Sequence, residues 1–158
     1  MSLDPDAFRA VLGRFATGVT IVTATDAQGV DHGMTVSAFS SLSLNPPRVL
    51  ICIEHSASMH ALLMETSHFA INILSDAQEE TARRFAETGA QRFTGVGFTR
   101  GDRNLPILSD VLAYVECRRV AVHEGGDHTI IVGETETATV RDGKPLLYYR
   151  GGFAQLER

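Results

Sequence analysis

The stretch Gly33 to Ile53, GMTVSAFSSLSLNPPRVLICI, places Thr35, Ser37, Ser41 and Ser43 at odd positions around Phe39 and carries no charge before Arg48. The even positions Met34, Val36, Ala38, Leu42 and Leu44 are apolar, interrupted only by Ser40. A period of two describes a strand with one face on a core and the other presenting four hydroxyls beside one ring. An ordinary wet face would carry Lys or Glu instead. Two readings of that face stand side by side. It is a Thr/Ser-rich strand face, or one buried against a partner chain; or it is a ligand platform, where neutral donors bind carbonyls, ring nitrogens or phosphate oxygens and Phe39 packs on something flat.

Other chemistries find less support in the residues. His55 and His60 are five apart around a helix start, and His123 and His128 flank a turn, so neither pair has the spacing of a zinc motif and no metal is expected. No serine lies in a nucleophile-elbow pattern, and no histidine has an obvious orienting acid. Cys52 and Cys117 each sit within an apolar run, which reads as two buried reduced thiols rather than a disulfide. GVGFTRG, Gly95 to Gly101, has the wrong spacing for a dinucleotide fingerprint and follows a helix, not a strand. With no paired carboxylates in an apolar setting either, an enzyme built from this chain would rely on a bound cofactor for its chemistry.

The elements that must position these residues fit one domain, residues 1–158. Hydrophobic residues at 44% and charged ones at 21% are ordinary globular proportions. Nineteen acidic residues against fourteen basic ones give a net charge of -5 with no basic stripe, which argues against nucleic acid as a partner. The first residues, MSLDPDAFRAVLGRF, lack a basic segment followed by an apolar one, and no run is long enough to cross a bilayer, so a cytoplasmic location is expected.

Asp4 and Pro5 open an amphipathic helix through Phe8, Val11, Leu12 and Phe15 that Gly18 stops. TIVTAT, the hydroxyl-rich strand and RVLICI after the Asn45 to Pro47 corner read as consecutive antiparallel strands. SASMHALLMET reads as a short helix capped by Ser56 or Ser58, HFAINIL as a buried strand, and DAQEETARRFAE as a helix with Asp76 and Glu79 in a capping box. After a Gly-rich loop come two long strands, Leu112 to Glu124 and His128 to Val140, joined by Gly125, Gly126 and Asp127, where the glycine pair is expected to supply the positive φ of a tight turn, and PLLYYRGGF is a final strand. Short strand spacing, long hairpins and about three helices favour a mainly β protein, an antiparallel barrel with helical additions.

RFATGVTIVTA, GMTVSAFSSLSLNPPRVLICI, HSAS, FAINIL with QEETARRFA, the RFTGV loop, GGDHTIIVGE and PLLYYRGGF together resemble the flavin reductase-like, FMN-binding split-barrel family. The closest resemblance is to short-chain reductase components of two-component flavin monooxygenases. It covers nearly the whole chain in order, and implies an antiparallel split β-barrel, active as a homodimer with its flavin cleft at the subunit interface.

By the same resemblance, the flavin, FMN or FAD, is held by Thr35, Val36, Ser37, Ser40 and Ser41, and by Cys52, Ile53, Glu54, His55, Ser56 and Ser58. The start of the Ser58 helix would face the phosphate. Arg84 and the Phe93 loop would finish that side, unless Arg84 is a solvated helix residue. His128 would approach the nicotinamide of NADH or NADPH, with Tyr149 and Arg150 lining that end; the alternative for His128 is a hairpin residue satisfied by backbone. One departure is RGGF where many relatives carry RGRY: Gly152 and Phe153 stand for an arginine and a tyrosine, so the resemblance does not carry a charged tail contact to NADPH over to this chain, and the choice between NADH and NADPH stays open. The implied reaction is hydride transfer from nicotinamide C4 to flavin N5, with reduced flavin passing to an oxygenase partner. Two other readings remain open: a flavin-binding module or electron carrier without NAD(P)H oxidation, and a pyridoxamine-phosphate-oxidase-like enzyme.

Overall fold

In the computed structural model, which describes residues 2–87 and 92–157, the Asp4 carboxylate accepts the Asp6 N–H and Pro5 takes the first position of α1 (Pro5–Leu12). The helix ends sooner than the apolar spacing predicts. Gly13 closes its last turn on the Arg9 carbonyl, and Phe15 lies beyond it. The rest of the chain runs β1 (Thr17–Gly18), β2 (Thr20–Thr25), β3 (Asp31–Val36), β4 (Phe39–Ser43), β5 (Arg48–Glu54), α2 (His60–Glu65), β6 (His68–Ile73) and α3 (Glu79–Ala86). It continues through β7 (Phe98–Arg100), β8 (Pro106–Leu108), β9 (Ala113–Gly125), β10 (His128–Val140), β11 (Leu146–Tyr149) and β12 (Gly152–Gln155).

Seven strands form one antiparallel sheet in the order β3-β2-β6-β9-β10-β5-β4. Its two edge strands, β3 and β4, are joined by Ser37 and Ala38 alone. Laid flat, seven strands would hold the edges about 29 Å apart, whereas three Cα steps from Val36 to Phe39 reach about 11 Å at most. The sheet therefore curls on itself, and the Cys52 N–H bonds the Ala38 carbonyl at 3.0 Å where the chain crosses from one edge to the other. This is the antiparallel barrel that the strand pattern predicts, in the split form that the family resemblance implies. Its interior holds Val22, Ala24, Val36, Ile51, Ile53, Met59, Leu63, Phe69, Ile71, Cys117 and Ile131, all buried. A second core outside the sheet packs Ala82 and Phe85 of α3 against Val19, Ile21, Leu74, Leu108, Val111 and Leu146.

Three local readings change. The hydroxyl-rich stretch is two strands, not one, because the crossing at Ser37–Ala38 breaks it. Across that break the parity flips: Phe39 packs toward the interior core with Met34 and Val36, whereas Leu42 and Leu44 are exposed. PLLYYRGGF is a hairpin, β11 and β12, turning through Arg150 and Gly151, both at positive φ, and with β1 it makes a separate three-stranded sheet. Neither serine caps α2, whose first flanking residue is Met59, and the box predicted for α3 does not form; the Gln78 side chain instead accepts the Ser75 N–H and donates to the Ser109 carbonyl. The hairpin forms where expected, but its turn is Gly126–Asp127: Gly126 has positive φ, whereas Gly125 does not and ends β9 paired to His128.

Candidate functional site

Met34 and Val36 face the barrel core, so the odd residues of β3 and Ser37 beyond it face outward, where α3 lies. Gly33 is required there: a Cβ on it would stand 2.6 Å from the Phe85 ring. Thr35 Oγ1 donates to the Ala82 carbonyl of α3 at 2.6 Å, which anchors its hydroxyl and leaves its lone pairs. α3 thus covers the middle of this face and leaves a cavity at either end. At the Ser37 end, a cavity of about 200 Å³ is lined by Val19, Thr35, Ser37, Ala86, Tyr148 and Phe153. At the Gly33 end, one of about 150 Å³ is lined by Val30, Asp31, His32, Gly33, Ser58, Met59, Arg92 and Phe93.

The first cavity carries hydroxyls and rings but no ionisable acid or base apart from the tyrosine phenol. Tyr148 and Phe153 face each other across the β11–β12 pair with ring centroids 5.6 Å apart, and the Arg83 guanidinium lies 5.0 Å over Phe153. Thr17, which pairs with Tyr148, has a buried hydroxyl with no partner. A flat, neutral ring with hydrogen-bonding edges fits such a lining, and an unsatisfied hydroxyl beside it is a group that a ligand can satisfy.

Beyond the crossing, Ile51 and Ile53 are fully buried in the core, so Cys52 and Glu54 face outward. Cys52 and Glu54 pair with Ile130 and His128 on β10. Burial pushes the Cys52 thiol above its ordinary pKa, which keeps it protonated and poor as a nucleophile. His128 is partly exposed, and its Nδ1 lies 2.6 Å from Asp127 Oδ1. That hydrogen bond, with the attraction of His128, holds the Asp127 carboxyl below the usual range. In the neutral ring, donation from Nδ1–H to the carboxylate would leave Nε2 as an acceptor. Nearby, His55 pairs with Glu124 at 3.3 Å and meets the His60 ring edge-on, while His60 bonds Thr129. Among the described residues no group of His, Cys, Asp or Glu is arranged to hold a metal.

The sequence-derived site residues fall into separate places. Thr35 and Ser37 share the first cavity; Ser58 and Phe93 share the second; Cys52, Glu54 and His128 share the outer face of β5 and β10. Val36 and Ile53 turn their side chains into the core, so only their backbone can serve a ligand. Ser40 and Ser41 lie exposed on edge strand β4, with Ser40 Oγ bonded to the Ser41 carbonyl, and line neither cavity. His55 and Ser56 are exposed in the turn after β5. The helix after Ser58 is only six residues long and starts at His60. Arg84 donates to the Thr94 carbonyl and borders a different depression, beside Gly95 and Ser109. Tyr149 pairs with Gly152 on the hairpin face opposite Tyr148, and the Arg150 N–H caps the end of α1 through Gly13. Cavity residues to which the sequence reading assigns no ligand contact include Val19, Tyr148, Phe153 and Arg92. For Tyr148 the signal was present, since splitting PLLYYRGGF at its glycines assigns adjacent tyrosines to opposite faces.

Residues 12–157 match the family model described as the flavin reductase like domain. The chain is 46% identical over 151 residues to the FMN reductase (NADH) SmoA of Agrobacterium fabrum, covering 96% of this chain and 86% of that protein. It is 45% identical to the reductase component of a 4-nitrophenol 4-monooxygenase/4-nitrocatechol 2-monooxygenase from Rhodococcus opacus, covering 96% and 80%. Among solved structures, the NADH:FAD oxidoreductase SgcE6 of Streptomyces globisporus, in complex with NAD and FAD fragments, superposes with a TM-score of 0.92 at 37% identity, covering 99% and 96%. An oxidoreductase of Sinorhizobium meliloti superposes with a TM-score of 0.94 at 40% identity; 96% of this chain is covered, but it spans only 53% of that longer one.

Proposed function

The chain belongs to the flavin reductase-like family, and from that premise we propose that it is an NAD(P)H:flavin oxidoreductase whose reduced flavin serves a partner monooxygenase. The observation that carries the reading is the uncharged, hydroxyl-bearing cavity between β3 and the β11–β12 hairpin. Bound flavin supplies the acceptor for a hydride from the nicotinamide. The chain's own contribution is position and dryness. Thr35 and Ser37 offer oxygen and hydroxyl groups to a ring edge, with Thr35 fixed in place by α3. Tyr148 and Phe153 close the far side and exclude water. His128, oriented by Asp127, offers Nε2 to a carboxamide N–H and so aligns the nicotinamide without acting as an acid or base.

A second copy of the chain completes the site in this reading. No residue of α1 is buried, and Phe8, Val11, Leu12 and Phe15 are 50 to 78% exposed. A helix with that apolar face on a small monomer calls for a cover. A homodimer supplies it. No helix among the described residues is long and apolar enough to cross a membrane.

The test is to mix purified protein with NADH or NADPH and excess FMN or FAD and follow loss of nicotinamide absorbance. Oxidation that depends on both flavin and protein is expected. Flavin binding without turnover would leave a flavin-binding module instead.

A further inference from the structure

The outward residues of three adjacent strands hold the β7–β8 ribbon against the sheet. Thr23 Oγ1 donates to the Pro106 carbonyl at 2.7 Å, Asn72 Oδ1 accepts the Leu108 N–H at 3.0 Å, and the Glu116 carboxylate accepts the Asp102 and Arg103 N–H groups at 3.0 and 3.1 Å. All three of these side chains are fully buried, so the ribbon is fixed at its root. Between it and the far end of the β9–β10 pair a cavity of about 320 Å³ stays open. Ile107, Leu108 and Val111 line it, each at most 5% exposed, with the half-buried Tyr114 ring beside them. The polar lining is exposed and includes Thr139, Asp110 and Arg141. Asp110 and Arg141 do not pair with each other, and among the described residues neither forms any other ion pair.

We infer that this cavity is a binding site for a small phenol, with Asp110 accepting its O–H, Arg141 donating to its oxygen, and its ring against Tyr114 and the apolar lining. The inference does not rest on the reductase reading. A carboxylate would suit Arg141 but meet Asp110, and an amine would suit Asp110 but meet Arg141. A neutral hydroxyl that donates and accepts satisfies both at once, through two charge-assisted bonds. The flat ring matches a lining of aliphatic side chains and one tyrosine, and the volume stands at the lower end of small-molecule pockets, about 300 Å³. The place is separate from the sites above. From His128 to Thr139 is eleven steps along β10, about 36 Å, and the cavity shares no lining residue with those beside β3. Its edge from Leu108 to Asp110 also borders the depression beside Arg84, which makes a flavin dinucleotide the competitor to test.

The experiment titrates the full chain with phenol, cyclohexanol, benzoate and benzylamine and follows backbone amide shifts by NMR, on the wild type, Asp110→Asn, Arg141→Met and Thr139→Phe. Phenol should give saturable shifts around residues 107–114 and 139–141 and bind more tightly than the other three. Asp110 sits at φ 64°, a conformation that asparagine also adopts, so Asp110→Asn keeps the turn. It and Arg141→Met should each weaken phenol binding by about tenfold. Thr139→Phe, at an exposed strand position, should fill the space and remove binding. Signals away from the cavity report that each variant is folded. No saturable shift, shifts centred elsewhere, or unchanged affinity in all three variants would overturn the site. Benzoate or benzylamine binding as tightly as phenol would make the cavity a charge site, and cyclohexanol binding as tightly would remove the role of the ring; either defeats the phenol assignment. Displacement of phenol by FAD but not by FMN would give the cavity to the adenosine end of the flavin, which defeats it equally.

Discussion

At the scale of single residues, the proposed contact of His128 with the nicotinamide can be tested directly. Its bond to Asp127 fixes the ring so that Nε2 faces away from the turn. Replacing it by Ala should raise the KM for NADH by roughly tenfold to a hundredfold, the worth of one good hydrogen bond at about 1 to 3 kcal/mol. Flavin affinity should stay nearly constant. Wild-type reduction kinetics in anaerobic stopped flow would reduce His128 to a hairpin residue. Cys117 gives a different kind of test. Burial raises its thiol from 9.0 to about 11, partly offset by the Thr135 hydroxyl. A thiol whose folded pKa is raised favours the folded state fully below the unfolded pKa and loses that advantage as pH climbs to the folded one. Urea stability should therefore fall between about pH 9 and 11, by on the order of 2 to 3 kcal/mol from this group. Cys117→Ala should flatten that decline relative to wild type. Identical slopes for the two proteins would mean that other groups cause it.

At the scale of elements, the close approach of β10 to its neighbours depends on Gly133. A Cβ there would stand 2.7 Å from the Cys117 Cβ and 2.8 Å from the Phe69 ring, both fully buried. Gly133→Ala should cost about 1 to 3 kcal/mol by overpacking, seen as a lower urea midpoint. Gly18→Ala, where nothing lies within 4 Å, is the control. An unchanged midpoint in Gly133→Ala would show that the β9–β10 ladder yields. β10 also shows how much the sequence discloses: His128 to Val140 is readable residue for residue, because a glycine turn precedes it and β-branched residues fill it. The stretch from Gly33 to Leu44 misleads for a physical reason. The apolar parity of Met34, Val36 and Ala38 carries across the crossing, and no glycine or proline marks the break. Only the sheet order, which places β3 and β4 at opposite edges, shows that Phe39 must turn inward. In the same way the outward facing of Thr35 and Ser37 is legible in the alternation, whereas the setting of Arg92 is not. That setting is a buried Nε and a bond to a carbonyl 59 residues away in the chain.

For the whole molecule, the decisive question is what covers α1. Its apolar residues contribute nothing to the protomer's own core, so changing them should leave that core intact. If a second copy covers them, Leu12→Glu places a charge in an apolar interface, where an unpaired carboxylate is strongly disfavoured. Light scattering should then give about twice 17.1 kDa for the wild type and the single-chain mass for the variant, with unchanged circular dichroism. If the flavin cleft lies at that interface, the variant should also bind flavin more weakly. The two measurements separate the possibilities. A monomeric variant with undiminished flavin affinity would place the whole site within one protomer. A variant that remains dimeric would move the interface away from α1, and a monomeric wild type would remove the dimer from the account.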